Sequence, residues 1–352
     1  MDPLLIPHTD TIPVAWGWFQ FLLLLTFPLH IIAMNCMLGG LILGVFQHVR
    51  GGALQKQLAH RIAVVLPLII ATVVNLGVAP YLFLQVLYGQ FLYTSSVLMA
   101  LAWIMIIPIL IVAYYGAYFY DFRFVQLGRT GIWVGVMVSI LLLIIGWFFS
   151  TNMQLMVLPE KFGDYFNHMN GSLLISDHPS LLPRYLHMVC GALAIGGLFV
   201  ALLGRFKNTQ NPALTKHALR YGTQSFMIFT IINIPVGIWY LMSLPQEIMR
   251  LFLGENSGAS FAFALSLMLI VGGLTAALRR KLWLTIGHAL ALVLAMIFMR
   301  SWLRTGYLTT LFSLDQLQVV PQYSPMIFFF ITLAFGIICL IWLLRKTTKV
   351  IQ

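Results

Sequence analysis

Nine stretches of the chain are almost continuously apolar, and the polar residues gather between them. The runs lie near residues 16–47, 62–88, 92–119, 131–150, 184–204, 223–243, 258–278, 282–303 and 325–344. Each reaches about the 20 residues that an α-helix needs to cross roughly 30 Å of hydrocarbon. The pattern predicts an all-α, polytopic membrane helix bundle of about nine transmembrane helices, with 1–352 as a single membrane domain. The first run is long and holds Pro28, which predicts a kink or a tilt. No internal repeat, low-complexity tract or second soluble domain interrupts the pattern.

Composition supports this class. The chain is 61% hydrophobic and only 8% charged, whereas a soluble domain carries about a quarter charged residues. Most of its surface must therefore meet lipid. The net charge of +11 would suggest nucleic acid in a soluble protein; here it reports orientation, and no nucleic-acid partner is expected. Arg50, Lys56 and Arg61 follow the first run, Arg123 and Arg129 the third, and Arg205, Lys207, Lys216 and Arg220 the fifth. Arg279, Arg280 and Lys281 follow the seventh, and Arg345, Lys346 and Lys349 close the chain. These are 15 of the 20 basic residues, and all fall on one side. The excess of positive charge in cytoplasmic loops puts that side, and the C-terminus, in the cytoplasm. The N-terminus is then outside, which requires an odd number of spans. The expected location is the bacterial inner membrane. The opening MDPLLIPHTD has no basic segment before an apolar core, so no cleavable signal peptide is expected.

An ionisable or coordinating side chain inside hydrocarbon is costly and so marks a candidate site. All nine acids, Asp2, Asp10, Asp121, Glu160, Asp164, Asp177, Glu247, Glu255 and Asp315, sit in loops or at helix ends. The absence of a carboxylate in mid-membrane argues against a proton pump, which needs a relay of such groups. Cys36, Cys190 and Cys339 lie in apolar runs without a CxxC or CxxCH spacing; they read as packing, not as thiolate ligands or a covalent haem attachment.

The histidines are placed differently. His8, His48, His60, His168, His178 and His217 fall in loops or at interfaces, but His30, His187 and His288 lie within spans. A neutral imidazole in a bilayer needs a hydrogen bond or a metal, and for any one histidine a structural role competes with ligation. Histidines in the outer halves of different helices favour a haem. Met268, in FALSLMLIVGG, carries a thioether suited to an axial position, although a methionine in a core is more often packing. Gly191, Gly196 and Gly197 follow His187, and Gly272 and Gly273 follow Met268. They could admit a flat macrocycle or simply bring helices close together.

Several segments together resemble subunit I of the cytochrome bd family of quinol oxidases, through nearly the whole chain. The segments are LLLLTFPLHIIAMNCMLGGLILGVF, NLGVAPYLFLQVLYGQF, LGRTGIWVGVMVSILLLIIGWFFSTNMQ, RYLHMVCGALAIGGLFVALLG, FALSLMLIVGGL and AMIFMRSWLRTG, in that order. The resemblance implies that His187 and Met268 hold a low-spin haem b. It also implies that His30 occupies the place of a histidine serving a high-spin haem, with Met299 as a possible opposite ligand. Arg184, Arg300 and Arg304, near the outer face, match haem propionates as partners; interfacial snorkelling is the other reading.

The departures from the family define a divergent relative. The third span has none of the family's glutamates. Met299 and Arg300 stand near the place of a ligating glutamate in the eighth span, and LRTGYL replaces a longer signature. Ser266 stands where the family has an arginine, and the loop expected to bind quinol shrinks to Glu247–Ser260. Oxygen reduction consumes protons, and no relay of titratable groups is visible. The expectation is thus a haem b electron-transfer subunit of a membrane redox complex, linking the quinone pool to a partner cytochrome. Quinone is then a second cofactor, and the partners are subunit II-like membrane proteins and a c-type cytochrome. The alternatives are an oxygen-reducing terminal oxidase and a haem-free scaffold or transporter that kept the fold.

Overall fold

The computed structural model describes residues 5–167, 169–206 and 211–351; Asp2, His168 and Lys207, read above as loop groups, lie outside them. Among the described residues nine helices are long and apolar enough to cross a membrane, and the protein is an all-α, multi-pass helix bundle. In chain order they are α1 (Trp16–Arg50), α2 (Ala53–Leu98), α3 (Ala100–Phe122), α4 (Gly131–Leu155), α5 (Leu181–Phe206), α6 (Pro212–Met242), α7 (Ser257–Leu278), α8 (Leu282–Leu308) and α9 (Tyr323–Ile351).

Helix α1 keeps a helical backbone through Pro28. Neighbouring helices in a membrane bundle can satisfy the backbone group that a proline leaves free. One helix boundary needs correction. The second and third runs do not part at residues 88–92. Helix α2 is kinked at Tyr88, where two helical parts meet, and the chain turns into α3 only at Met99. At about 1.5 Å per residue its 46 residues run for about 69 Å, more than one crossing needs, and the part after the kink forms a projection. Gln90, between those runs, and Thr94, Ser95 and Ser96, read as the start of the third, belong to that projection.

The projection builds a cap on the non-basic end. Leu87, Tyr88, Phe91 and Leu92 of α2 pack with Phe162 and Ile175 of the 156–180 connection and with Phe312 and Leu317 after α8. Backbone hydrogen bonds seal it: Leu101 N–H donates to Gly171 C=O at 2.9 Å, and Ile12 N–H to Gln318 C=O at 2.9 Å. The N-terminal segment and the α8–α9 connection thus share one end, as an alternating path through eight spans requires.

Lipid tails are as apolar as leucine, so helices associate in a membrane largely through close packing of small residues. Helix α5 carries two such stripes. Ala192 and Gly196 meet Gly39 of α1; Gly197 meets Gly222 of α6, and Gly204 meets Ala218. A Cβ on Gly39 would overlap the Ala192 carbonyl, and one on Gly196 would overlap the backbone of Gly39 and Gly40. Gly196 and Gly197 therefore serve helix packing and not a macrocycle.

Forcing bulk into such a contact costs about 1–3 kcal/mol or more. Gly196→Leu should lower the thermal midpoint of the purified protein in detergent and its yield. Gly287→Leu should leave both near wild type, because a Cβ at Gly287 would meet nothing within 4 Å.

Candidate functional site

The sites read from sequence lie on α1, α5, α7 and α8. Helix α5 is started by the turn before it. His178 Nδ1 accepts the Ser180 amide at 3.4 Å and lies 3.0 Å from the Ser180 hydroxyl. Leu181 N–H donates to His178 C=O at 3.0 Å, and Arg184 N–H to Ser180 C=O at 3.2 Å. This fixes the first turn of α5, and with it Arg184 and His187.

His187, Ala194 and Leu198 share a face of α5, at spacings of seven and eleven residues. Ala194 and Leu198 pack with Phe226 of α6, Ala277 of α7 and Ala289 of α8. The imidazole therefore points into the bundle formed by α5 to α8. Its ring lies against α6: a Cβ at Gly237 would stand 3.1 Å from His187 Cε1, and Tyr240 has its ring centroid 6.4 Å away. Asn233 is the group that hydrogen-bonds toward the ring, although neither His187 Nδ1 nor Asn233 Oδ1, both buried, closes a bond of full geometry. A buried polar atom without a well-formed bond calls for an explanation, and a bound group is one of them.

His30 differs. Its Nδ1 donates to the Val73 carbonyl of α2 at 3.0 Å, and its ring fills the space over Gly77. A histidine that donates Nδ1–H to a carbonyl keeps a lone pair on Nε2, and metal-binding histidines are commonly oriented by a hydrogen bond of this kind. The same bond also satisfies it as a core residue. His288 bonds within its own helix, Nδ1 to Leu284 C=O at 2.8 Å, and its ring covers Gly272. Gly272 thus holds a histidine and not a macrocycle.

Neither methionine is placed as the sequence suggested. The inward face of α7 comprises Ala259, Ala262, Ser266, Gly273, Ala276 and Ala277. At about 100° per residue, Met268 lies about 200° from Ser266, and it is 61% exposed. The packing of α7 thus turns its thioether away from the α5–α6 side. Met299 packs among Leu244, Ile248, Phe252 and Ala259, with Sδ 4.0 Å from Ser266 Oγ. It faces α7 while His30 faces α2, so the structure does not bring these two together. The next residue, Arg300, is the one that reaches α1, with its guanidinium 5.5 Å from the centre of the Phe27 ring.

The three arginines do assemble. Arg184 Nη1 donates to Gln154 Oε1 of α4 at 2.8 Å. Arg300 faces Arg184, Arg304 and Tyr240. Arg304, 7% exposed, lies 4.7 Å from the centre of the Tyr88 ring, and Tyr307 sits beside Gln154, Ser180 and Arg184. None of the three forms an ion pair with a carboxylate among the described residues. Snorkelling does not describe Arg304, whose side chain is enclosed. Tyr240 links this cluster to His187, and Phe27, whose ring stacks 6.5 Å from that of His30, links it to His30. Gln154, Tyr88, Tyr240 and Tyr307 escaped the sequence reading because helix ends and aromatic residues give no such signal in an apolar chain.

Among the described residues no three His, Cys, Asp or Glu side chains gather as they would around a chelated metal ion. The described carboxylates lie in connections or in terminal turns, such as Asp121 at the end of α3 and Asp315 in Leu314–Gln316. The expected acid-free interior is therefore present. No protein-family model matches the chain, and no curated protein matches it.

Burial and the nearby Lys161 hold the His178 imidazole below its ordinary pKa of 6.5, with Asp177 partly opposing. The folded chain thus resists a proton that the unfolded chain accepts, so this stability is complete above pH 6.5 and fades as pH falls below it. Thermal unfolding should show a midpoint that declines on acidification below 6.5, with a shallower decline in His178→Gln; an identical slope in both would refute the assignment.

Proposed function

We propose that the protein is a haem b-containing electron-transfer subunit of a membrane redox complex in the bacterial inner membrane. In this reading it is a divergent relative of cytochrome bd subunit I, and it passes electrons between the quinone pool and a partner cytochrome. The observation that carries the reading is His187: an inward-facing imidazole, with a buried nitrogen that closes no bond of full geometry, on a bundle interior without carboxylates.

The residues fit the group in three respects. His187 offers a buried nitrogen without a well-formed bond. Gly237 and Gly191 keep side-chain bulk away from the ring and from Asn233. Arg184, Arg300 and Arg304 lie on the other side of Tyr240, as carboxylate partners would. His30, with Nδ1 committed to Val73, is a second candidate ligand.

A bound haem b would supply a one-electron couple. The protein's part is to orient the imidazole, keep water out with the α5–α6 contact and place positive charge near the group. An interior without titratable acids suits electron transfer, which needs no proton at the site, better than oxygen reduction, which does. For the quinone side, a groove of about 430 Å³ beside α2 and α3, lined among others by Tyr81, Gln85, Ser96 and Trp103, presents polar atoms within an aromatic setting.

Purified protein should show b-type bands in a reduced-minus-oxidised spectrum. His187→Ala should lose at least half of the haem, and unchanged haem content in that variant would remove the ligand assignment. The resemblance pairs His187 with Met268, but α7 turns that side chain outward. Met268→Leu is therefore expected to keep the wild-type haem content and spin state, and a switch to a high-spin spectrum would reinstate the pairing.

A further inference from the structure

We infer that Arg184, Arg300 and Arg304, with Gln154 and Tyr307, form a built anion site that takes a ligand with two carboxylates or one phosphate. The haem reading bears only on the source of that anion, which is either the propionates of a bound porphyrin or a free anion entering from the capped end.

Three guanidinium groups converge at this end of the bundle. Moving a guanidinium from water into a protein interior costs several kcal/mol even after relaxation. Three that face one another add repulsion. Such groups persist in a fold when a counter-charge meets them. The described residues supply none: neither Arg184 nor Arg300 nor Arg304 pairs with a described carboxylate, Arg300 meets the face of Phe27, and Arg304 meets the ring and hydroxyl of Tyr88. A ring face offsets part of the desolvation of a cation but carries no net charge.

Hydrogen-bonding capacity leads to the same ligand. Arg304 Nε, Gln154 Nε2 and Tyr307 Oη are all buried and unpartnered. Arg304 is 7% exposed and Gln154 1%. Two of these three are pure donors and the third can donate. Donors left open around clustered cations call for a ligand made of acceptors. A guanidinium holds a carboxylate or phosphate through two parallel hydrogen bonds. Gln154 Oε1 is already occupied by Arg184, which orients its amide nitrogen as a further donor.

The site is built from separate helices. Gln154 closes α4, Arg184 opens α5, and Arg300, Arg304 and Tyr307 follow one another along the last two turns of α8. The anion would therefore tie α4, α5 and α8 together at the capped end. Its loss should be felt as lost stability as well as lost binding.

The test uses the full chain in detergent, stripped of haem, and three probes: haem b, haem b dimethyl ester, and sodium phosphate or succinate at constant ionic strength. If the propionates are the anion, haem b should bind at least about tenfold more tightly than the ester, one factor of ten being about 1.4 kcal/mol. The preference should shrink in Arg304→Gln and partly return in Arg304→Lys. If the anion is free, phosphate or succinate should raise the thermal midpoint saturably in the wild type and not in Arg304→Gln, with both porphyrins binding alike. Should Arg304→Gln fail to fold, Gln154→Leu, which keeps every cation, should weaken the anion effect by a smaller factor. Absence of haem binding would sink the proposed function but leave the second arm intact. A wild-type protein that neither distinguishes the two porphyrins nor responds to either anion overturns the site.

Discussion

Two backbone contacts of α5 set the geometry on which the candidate site depends. Gly196 lets α5 approach Gly39 of α1, and Gly197 lets it approach Gly222 of α6. In lipid there is little hydrophobic force to draw helices together, so contact of this closeness has to come from missing side chains. With α1 and α6 fixed on two flanks of α5, the remaining inward face is the one that carries His187, Ala194 and Leu198. The imidazole then meets α6 at Gly237, the position where a larger residue would exclude it. The same α1–α5 crossing brings His30 to the bundle near Arg300. The geometry of the site is therefore a consequence of where glycine falls on α5, α1 and α6.

Charge imposes the complementary constraint. The interior holds arginines and histidines but no described carboxylate, and such an asymmetry is unusual in a protein medium that penalises unpaired ions. Titratable acids in a membrane mark proton paths; their absence leaves the bundle with cations, neutral imidazoles and aromatic rings. That set can hold an anionic, planar, redox-active group and stabilise its reduced or oxidised form electrostatically. It is poorly equipped to deliver protons. The same argument that selects electron transfer thus also accounts for the arginine cluster, because a group bearing carboxylates brings the counter-charge that the polypeptide lacks.

Much of the fold was legible in the sequence, for reasons that explain what was not. Hydrocarbon thickness imposes a minimum length on apolar runs, so nine spans could be counted and their loops ordered by charge. The turn between α2 and α3 was misplaced, because Gly89 and Gln90 read as a break when they follow a kink at Tyr88 in a helix that continues to Leu98. The arginines were identified from their place near the outer face, since a basic residue on the non-basic side is conspicuous in a chain that is 8% charged. Their convergence was not legible, because it depends on the relative rotation of α4, α5 and α8. Rotation also separates the two methionines from their expected roles. Motif matching fixes the height of Met268 along α7 but not its azimuth, and the small residues of α7, Ala259, Ala262, Ser266 and Gly273, are what turn that helix. Gly196, Gly197 and Gly272 carried no distinguishing mark either: a glycine that admits a ligand and one that admits a neighbouring helix or histidine look alike in sequence.

The placement of the aromatic residues gives the last step. Tyr240 lies between the His187 ring and Arg300, and Phe27 lies between the His30 ring and Arg300. One guanidinium is thus reached from both histidines through a single ring on each side. That cation is met by a ring on each side and not by an imidazole, and a ring face offsets part of its desolvation. Any change that moves Arg300 should accordingly disturb Phe27 and Tyr240, the rings against which His30 and His187 lie. Setting one charge against two rings requires no moving part, only that α8 present Arg300 to Phe27 of α1 and to Tyr240 of α6.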